Sequence, residues 1–239
     1  MPTRVLTWNL QGRERPDLDA VADVVRAAHA DVVALQEVQR RQARRLAAGL
    51  GWWVDWRFKH WSIVVPPEGL ALLAPAPLAE VERAHLAHRW RFWSHRRRIA
   101  VAGTLGTAEG RLRVVGTHLG AGVGDDERVR QARLTVGAVD GTGAVVGDLN
   151  THPGSTVLGA YAEAGLRDAW DDARPGEPGP TNWRPGPRDA APTQRLDYVL
   201  VTDDLEVVAA ELPAAGEPGF GRFGELSDHL PLLAELRRR

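Results

Sequence analysis

Short apolar runs alternate along the chain with stretches of helical periodicity. Residues 5–9 and 32–35 form two compact apolar runs, and the apolar residues between 18 and 28 recur at helical spacing. One face of that helix should be buried. The helix follows Pro16 and begins with acidic residues, which the helix dipole favours at an N-terminus. The start of the chain therefore predicts a strand, an amphipathic helix and a second strand.

The remaining elements come as groups of strands with helices between the groups. The pattern predicts strands over residues 52–58, 61–65, 70–73, 98–105, 114–118, 144–150, 196–201 and 231–236. It predicts helices over residues 38–49, 125–139 and 155–165, the first of them capped by Gly49. The apolar runs are too continuous for strands with one solvated face. We therefore expect an α/β fold in which two sheets stack on each other beneath outer helices.

Composition narrows the class of protein. Of the 239 residues, 44% are hydrophobic and 26% are charged, as in an ordinary globular domain. The net charge of −1 gives no global field that would attract a nucleic acid or an anionic membrane, so any polyanion must be held locally. Lys59 is the only lysine. The prevalence of arginine indicates a compositional bias, which reduces the weight of any arginine cluster.

Several classes of protein are excluded or disfavoured. The sequence has no cysteine, which excludes disulfides and thiolate catalysis. Its first residues lead directly into a predicted strand, without the regions of a signal peptide, and no apolar run approaches the roughly 20 residues that span a bilayer. We expect a cytoplasmic monomer without membrane insertion. We also expect one domain over residues 1–239, because polar motifs reach from Asn9 to His229.

The motif Gly147-Asp148-Leu149-Asn150 follows a predicted strand. Its carboxylate and its amide are two residues apart, so on a strand they share a face. Together they suit a site that orients a nucleophilic water. The same four residues are also typical of a turn, and the motif alone favours neither interpretation.

Other motifs place polar side chains at strand ends. In Ser227-Asp228-His229 the histidine is by itself more often structural, but a carboxylate such as Asp197 would fix its tautomer and raise its basicity. Glu37 has the oxygen ligand that Mg²⁺ prefers, although it also fits the first residue of an exposed helix. His118 and Asn9 are each compatible with a satisfied polar group of the core. Burying so many such groups is costly unless they hold a metal or bind one another, which favours a hydrolytic metal site.

Six motifs follow one another along the chain: Thr7-Trp8-Asn9-Leu10-Gln11-Gly12, Leu35-Gln36-Glu37-Val38, Gly116-Thr117-His118-Leu119, Gly147-Asp148-Leu149-Asn150, Arg195-Leu196-Asp197-Tyr198 and Ser227-Asp228-His229. In this order they resemble the motifs of the endonuclease/exonuclease/phosphatase superfamily, over nearly the whole chain. The resemblance implies a four-layer α/β/β/α sandwich of two stacked mixed sheets flanked by helices. It also implies Mg²⁺- or Mn²⁺-dependent phosphoester hydrolysis. The His118 motif is more similar to the deoxyribonuclease, sphingomyelinase and phosphatase members than to the abasic-site endonucleases.

The resemblance assigns a metal site. Glu37 would be the principal ligand, with Asn9 and Asp228 nearby. Gln11 stands where the abasic-site enzymes carry Asp, which weakens the expectation of a second metal. Ala74-Pro75 stands where many members carry a polar pair such as Ser-Arg.

The resemblance also implies catalytic roles. Asp148 and Asn150 would position the attacking water, and His118 would stabilise the phosphoryl oxygens. His229, oriented by Asp197, would be the general base or a phosphate contact. Whether His229 or Asp148 activates the water stays open on sequence.

Two segments contain most of the candidate substrate contacts. Six of the nine tryptophans lie between residues 52 and 93, mixed with arginines; such rings stack on bases, enter a lipid interface or pack inside a sandwich. Residues 171–194, with six prolines, form a long irregular segment of the kind that is usually functional or disordered. Within it Trp183 is the better candidate for a substrate-facing ring. Further expected contacts are Thr181, Arg195 and Glu68, the last at a position that is often acidic in the superfamily.

The favoured function is a metal-dependent phosphodiesterase or phosphatase that acts on a nucleic acid, a nucleotide or a phosphorylated small molecule. A sphingomyelinase-like lipid phosphodiesterase is disfavoured by the missing signal peptide and the neutral charge. A catalytically inactive binding module is disfavoured because each motif position carries a competent residue.

Overall fold

A computed structural model describes residues 1–63, 66–91, 94–184, 186–188, 190–216 and 219–239. Its strands are β1 Thr3–Asn9, β2 Val32–Val38, β3 Trp53–Ser62, β4 Glu68–Ala74, β5 Ala79–Arg91, β6 Ser94–Thr107, β7 Gly110–His118, β8 Gly143–Asp148, β9 Leu166–Asp168, β10 Asp197–Thr202, β11 Leu205–Glu211 and β12 Leu232–Arg238. The end of the predicted strand 61–65 and the ring of Trp93 lie outside the described residues.

The strands form two mixed sheets of six, in the orders β11-β12-β1-β2-β4-β3 and β5-β6-β7-β8-β10-β9. Within each sheet one central pair is parallel, β1 with β2 and β7 with β8. The other named pairs are antiparallel, for example β1 with β12 and β8 with β10. A short pairing of β3 with β6 over residues 60–62 joins the two sheets at one corner.

The helices are α1 Leu18–Ala27, α2 Arg40–Leu50, α3 Asp125–Val136, α4 Thr156–Ala162, α5 Ala169–Ala173 and α6 Gly221–Leu226. All but α5 cover the outer faces of the sheets, whereas Ala169 and Trp170 of α5 belong to the apolar cluster between them. One apolar cluster joins the first sheet to α1 and α2, and another joins the second sheet to α3 and α4. A third cluster contains residues of both sheets and fills the space between them. This arrangement confirms the predicted four-layer sandwich. Among the described helices, none is both long and apolar enough to cross a membrane.

The strand β2 shows why the apolar runs are continuous. Val32 and Ala34 belong to the cluster between the sheets, whereas Val33 and Leu35 belong to the cluster beneath α1 and α2. Successive residues of a strand point to opposite faces, and here both faces are dry. A strand covered on both sides needs apolar residues at every position, which is the pattern that the sequence carries.

Three strands were not predicted, β5, β9 and β11. Each lies at the edge of its sheet and pairs with a single neighbour, β6, β10 or β12. All three carry charged residues beside apolar ones. Edge strands tolerate and often need charge because one side faces solvent, so none shows the continuous apolar run of the central strands. The end of α2 also differs from the prediction, because Gly51, with φ of 71°, caps the helix in place of Gly49.

We predict that Gly147→Ala destabilises the protein by more than about 1 kcal/mol, since a residue with a Cβ cannot adopt the native conformation here. Gly147 has φ of 141°, and a Cβ on it would lie 2.0 Å from the carbonyl oxygen of Thr117. Chemical denaturation measures the change in the free energy of unfolding. Gly159→Ala in α4 is the matched control, because its Cβ would meet no atom within 4 Å and alanine favours a helix by up to about 1 kcal/mol. Equal stability of the two variants would contradict the close approach of β7 and β8.

Candidate active site

A cleft of about 510 Å³ opens where the parallel strands of both sheets end. Because β1, β2, β7 and β8 all finish at this edge, the side chains that follow their apolar runs meet there. The cleft is lined by Asn9, Gln11, Arg13, Glu37, Lys59, His60, Glu68, Arg97, Arg98, His118, Ala121, Asp148, Asn150, Asn182, Arg184, Gln194, Leu196, Asp228 and His229.

Three of the predicted catalytic residues lie in one row across neighbouring strands. His118 is in register with Asp148 across the parallel pair β7–β8, and Asp148 is in register with Asp197 across β8–β10. Directly opposed residues share a face of a sheet, so the three side chains converge. His118 Nε2 lies 3.6 Å from Asp148 Oδ2. All three side chains are buried.

His229 reaches this row from the loop before β12. Its Nδ1 lies 2.7 Å from Asp197 Oδ2, and its Nε2 lies 3.9 Å from Asp148 Oδ2. The loop is held against β1, because Ser227 Oγ donates to the carbonyl of Asn9 and Trp8 Nε1 donates to the carbonyl of His229. The structure therefore brings together the pair of His229 and Asp197 that the sequence motifs suggested.

The two histidines have opposite pKa shifts. Burial lowers the pKa of His118 well below its usual value, and the positive charge of Lys59 lowers it further. Burial also acts to lower the pKa of His229, but the carboxylate and hydrogen bond of Asp197 outweigh it and raise that pKa to about 10. In the metal-free protein at neutral pH, His118 is therefore neutral and His229 is an imidazolium. Neighbouring groups whose pKa values are pushed apart are typical of acid–base sites.

Asp148 lies at the centre of the cluster. Burial raises its pKa to about 6, against the opposing effect of the His229 charge. One carboxylate oxygen accepts a hydrogen bond from Asn9 Nδ2 at 3.0 Å, and the other accepts from the backbone N–H of Asn150 at 2.9 Å. The second bond closes a turn in which Asn150 has φ of 48°. Both interpretations of the Gly147-Asp148-Leu149-Asn150 motif thus apply, since the turn itself places the carboxylate in the cleft.

The predicted metal ligands all line this cleft, but they differ in the hydrogen bonds and ion pairs that they already make. Glu37 has φ of 52° at a register shift between β2 and β4, and a bulge of this kind re-aims a side chain. Its carboxylate accepts no hydrogen bond from the described part of the chain, and its Oε1 is 3.9 Å from His118 Nδ1. Asp228 Oδ2 already accepts from Gln11 Nε2 and pairs with Arg184 Nε at 2.6 Å.

The donor set fits a hard divalent cation. Glu37, Asn9 and Asp228 contribute only oxygen ligands, which Mg²⁺ and Mn²⁺ prefer. Glu68 adds a buried carboxylate oxygen with no hydrogen-bond partner within the described residues, and an unpaired buried acceptor is costly unless something binds it. His229, Asp148 and Asp197 also place three possible ligand atoms within 4.8 Å of one another, but the hydrogen bond of His229 with Asp197 accounts for that grouping without a metal.

Three predicted substrate contacts, Trp183, Thr181 and Arg195, do not line the cleft. Trp183 is 1% exposed, packs on Phe220 and donates from Nε1 to the carbonyl of Ala190. The prediction of a substrate-facing ring is therefore wrong, because this ring fills the core beside α6. Glu68, in contrast, does line the cleft and lies 3.8 Å from His60.

The side chains of Thr181 and Arg195 contact groups inside the protein and not the cleft. The Thr181 hydroxyl accepts from the backbone N–H of both Leu196 and Asp197 at 3.1 Å, which fixes the start of β10. Arg195 pairs with Asp171 at 2.8 Å and stacks over Tyr198. Both side chains are buried and neither lines the cleft, so the structure does not bring these two expected substrate contacts to it. The proline-rich segment contributes Asn182, Arg184 and Gln194 to the cleft instead.

The sequence motifs did not identify the basic wall of the cleft. Lys59 and His60 on β3 and Arg97 and Arg98 on β6 line it, and Arg184 lines the cleft in contact with Asp228. On sequence these residues belonged only to a mixed aromatic and basic segment, and the high arginine content made any one arginine uninformative. The single lysine of the chain was the one signal that composition could have provided.

We predict that Asp197→Asn lowers the pKa of His229 in the metal-free protein, because the carboxylate supplies the charge and the hydrogen bond that raise it. With the carboxylate gone, the burial of His229 favours the neutral ring, so the imidazolium should lose its proton at lower pH than in the wild type. NMR titration of the ring Cε1 proton measures the shift. Asp203→Asn, an exposed site just beyond the far end of β10, is the control. The same His229 pKa in both variants would contradict the assigned pair.

Known proteins resemble this chain in sequence profile and in structure. The profile of the Endonuclease/Exonuclease/phosphatase family matches residues 6–229. An endonuclease/exonuclease/phosphatase from Beutenbergia cavernae DSM 12333 is 25% identical with a TM-score of 0.78, and the match covers 99% of this chain and 71% of that chain. No curated relative matches by sequence.

Two more distant structures share the fold. A mannosyl-6-phosphatase of Bacteroides thetaiotaomicron VPI-5482 is 17% identical with a TM-score of 0.74, and the match covers 98% of this chain and 99% of that chain. D. rerio TDP2, in complex with a single-strand DNA product, is 15% identical with a TM-score of 0.74, and the match covers 98% of both chains.

Proposed function

Because the chain belongs to the endonuclease/exonuclease/phosphatase family, we propose that it is a divalent-metal-dependent hydrolase of phosphate esters. The observation that carries the proposal is the buried cluster of His118, Asp148, Asp197 and His229 in one open cleft, beside a Glu37 carboxylate that accepts no hydrogen bond from the described residues. Each group has the chemistry and the surroundings that phosphoester hydrolysis requires. An inactive binding module would not need them together.

Glu37, Asn9 and Asp228 would hold the ion, which we propose to be Mg²⁺ or Mn²⁺. When bound, it would polarise a phosphoryl oxygen as a Lewis acid. Asp228 would also keep Arg184 at the edge of the cleft through their 2.6 Å contact.

Asp148 is the proposed proton acceptor for the attacking water. Its pKa of about 6 lies close to neutral pH, where a general base is most effective. Asn9 Nδ2 and the Asn150 N–H hold its two oxygens in place. His229, as an imidazolium held by Asp197, has a proton to donate and would bind a phosphoryl oxygen.

The substrate is proposed to be a nucleic acid, a nucleotide or another phosphorylated small molecule. The cations Arg13, Arg97, Arg98 and Arg184 line the cleft, so anionic groups on both sides of a scissile phosphate would find a partner. A net charge of −1 restricts this attraction to the cleft itself. Among the structural neighbours, one is named a mannosyl-6-phosphatase and another holds a DNA product, so the same fold accommodates substrates of both sizes.

A substrate panel tests the proposal. Purified protein would be incubated with DNA, RNA, nucleotides, sugar phosphates, inositol phosphates and sphingomyelin, with Mg²⁺ or Mn²⁺ and then with a chelator. We expect metal-dependent turnover of at least one water-soluble phosphate ester, and none by an Asp148→Asn, His229→Ala double variant. Equal hydrolysis by the double variant would indicate a contaminant. The absence of turnover on every substrate would overturn the proposal.

A further inference from the structure

Lys59 is the only lysine of the chain, and it lies buried against the site. Its side chain is 2% exposed, although lysine is almost never fully buried without a partner. The partner is His118, whose Nδ1 lies 3.0 Å from the Lys59 Nζ. No sequence motif pointed to this contact, which joins β3 of the first sheet to β7 of the second.

A β-bulge places Lys59 in the cleft. Phe58 pairs with Gly69 and His60 pairs with Glu68, so Lys59 is the extra residue between two successive pairs. In a regular strand Lys59 and His60 would point to opposite faces, yet both line the cleft. Bulges beside active sites commonly redirect one side chain in this way. The interrupted pairing of β3 with β4 therefore places the Lys59 ammonium beside His118.

The contact determines which ring nitrogen of His118 carries the proton. A lysine ammonium has three donors and no acceptor, so Nδ1 of His118 must accept. The neutral ring then carries its proton on Nε2. Asp148 Oδ2 lies 3.6 Å from that nitrogen, too far for a hydrogen bond. Because His118 lines the cleft, its Nε2–H remains available there as a donor.

We propose that Lys59 is a positioning residue of the active site, which acts through His118 by holding its ring neutral with Nε2–H aimed at a phosphoryl oxygen of the substrate. The role at the phosphoryl group rests on the proposed function, whereas the state of the ring does not. With Lys59 in place, Nδ1 of His118 is occupied as an acceptor, so His118 serves as a hydrogen-bond donor through Nε2.

The surrounding charges agree with this assignment. The positive charge of Lys59 itself helps to keep the pKa of His118 low, after burial. Burial and the charge of Arg98 lower the pKa of Lys59 to about 8, while Glu37, Glu68 and Asp148 act to raise it. Near neutral pH the ammonium form is therefore retained. Glu37 Oε1 is 3.9 Å from His118 Nδ1, beyond hydrogen-bond distance, so Lys59 is the group that occupies this nitrogen.

Arginine would not replace lysine here. The chain uses arginine at every other basic position, but a guanidinium is planar and has five donors in a rigid fork. A single acceptor in a dry site would leave most of those donors unpaired, and buried unpaired donors are costly. The compact ammonium fits one nitrogen and the nearby carboxylates.

The first test reads the ring directly and needs no activity. Long-range ¹H–¹⁵N spectra of the metal-free protein at pH 7, with His118 assigned from a His118→Gln sample, should show one neutral tautomer protonated on Nε2. In Lys59→Met this preference should be lost, because nothing then requires Nδ1 to accept. Arg57→Met, two residues away on the same strand and paired only with Asp55 in the described structure, should leave the His118 signals unchanged. A wild-type ring protonated on Nδ1, or on both nitrogens, would overturn the proposal.

The second test uses any substrate that the wild-type protein hydrolyses. Lys59→Met should lower kcat by about 10–100-fold, the usual effect of losing a group that orients a functional ligand, with a smaller change in KM. In a His118→Gln background the same change should have little further effect, since residues that act through one another are not additive. Fully additive losses would contradict action through His118. If the wild type hydrolyses nothing, the proposed function fails, and the ring spectra still decide the state of His118.

Discussion

Asp148→Asn should lower turnover by about 10²–10⁴-fold, the range expected for loss of a positioned acid–base group. The amide keeps the shape of the side chain and its contact with the Asn150 N–H, but it cannot take a proton from water. His229→Ala should cause a loss of the same order, because the ring removed is the one that Asp197 holds toward Asp148. Steady-state kinetics with saturating metal measure both effects, and the loss should fall on kcat more than on KM.

The two variants differ in their expected stability, which separates a chemical loss from unfolding. Asp148→Asn removes a charge whose burial is unfavourable, as the raised pKa of this group indicates, so the fold should persist. His229→Ala leaves the Asp197 carboxylate buried without its partner, and an unpaired buried charge is strongly destabilising, so its Tm should fall. His152→Ala, at an exposed histidine in the loop after β8, is the matched control. Near-normal turnover in a well-folded Asp148→Asn sample would show that the site is assigned wrongly.

Removal of divalent metal should abolish turnover, and Mg²⁺ or Mn²⁺ should restore it. A bound ion contributes several kcal/mol of charge stabilisation in a transition state, which corresponds to a loss of at least about 10²-fold. The ligands on this chain are carboxylate and amide oxygens on Glu37, Asn9 and Asp228, and there is no thiolate to hold a softer metal. Activity measured after chelation and after titration with each ion gives the result directly.

Glu37→Gln sharpens the test of the metal site. The substitution keeps the size of the side chain but removes the carboxylate, which has no hydrogen-bond partner in the described structure. Because a ligand of the metal is weakened, a higher concentration of Mg²⁺ should be needed for half-maximal activity. Calorimetric titration with Mg²⁺ gives the same comparison without a substrate. Glu163→Gln, at an exposed carboxylate after α4, should bind metal like the wild type. Full activity in excess chelator, with no metal retained in the protein, would exclude a metal-dependent reaction.

The sequence by itself determined the layers and the members of the cluster. Central strands such as β2 carry an unbroken apolar run, here Val32 to Leu35, because both of their faces are buried, and that pattern can be seen without coordinates. The polar residues that follow these strands had to meet at one edge, since the ends of parallel strands lie together. His118 and Asp148 end two such strands, the ordered motifs of the family resemblance added Asp197 and His229, and the structure places the four side chains within contact of one another.

Only the tertiary structure decided the directions of individual side chains. Trp183 fits a substrate loop on sequence, but its ring packs on Phe220 in the core, because the orientation of a ring in an irregular segment depends on long-range packing. Glu37 and Lys59 reach the cleft through register shifts in the β2–β4 and β3–β4 pairings. A bulge depends on how two strands pair, so the sequence of either strand alone does not show it. The edge strand β5 was missed for a related reason, since its charged residues are tolerated only because one side of it is unpaired.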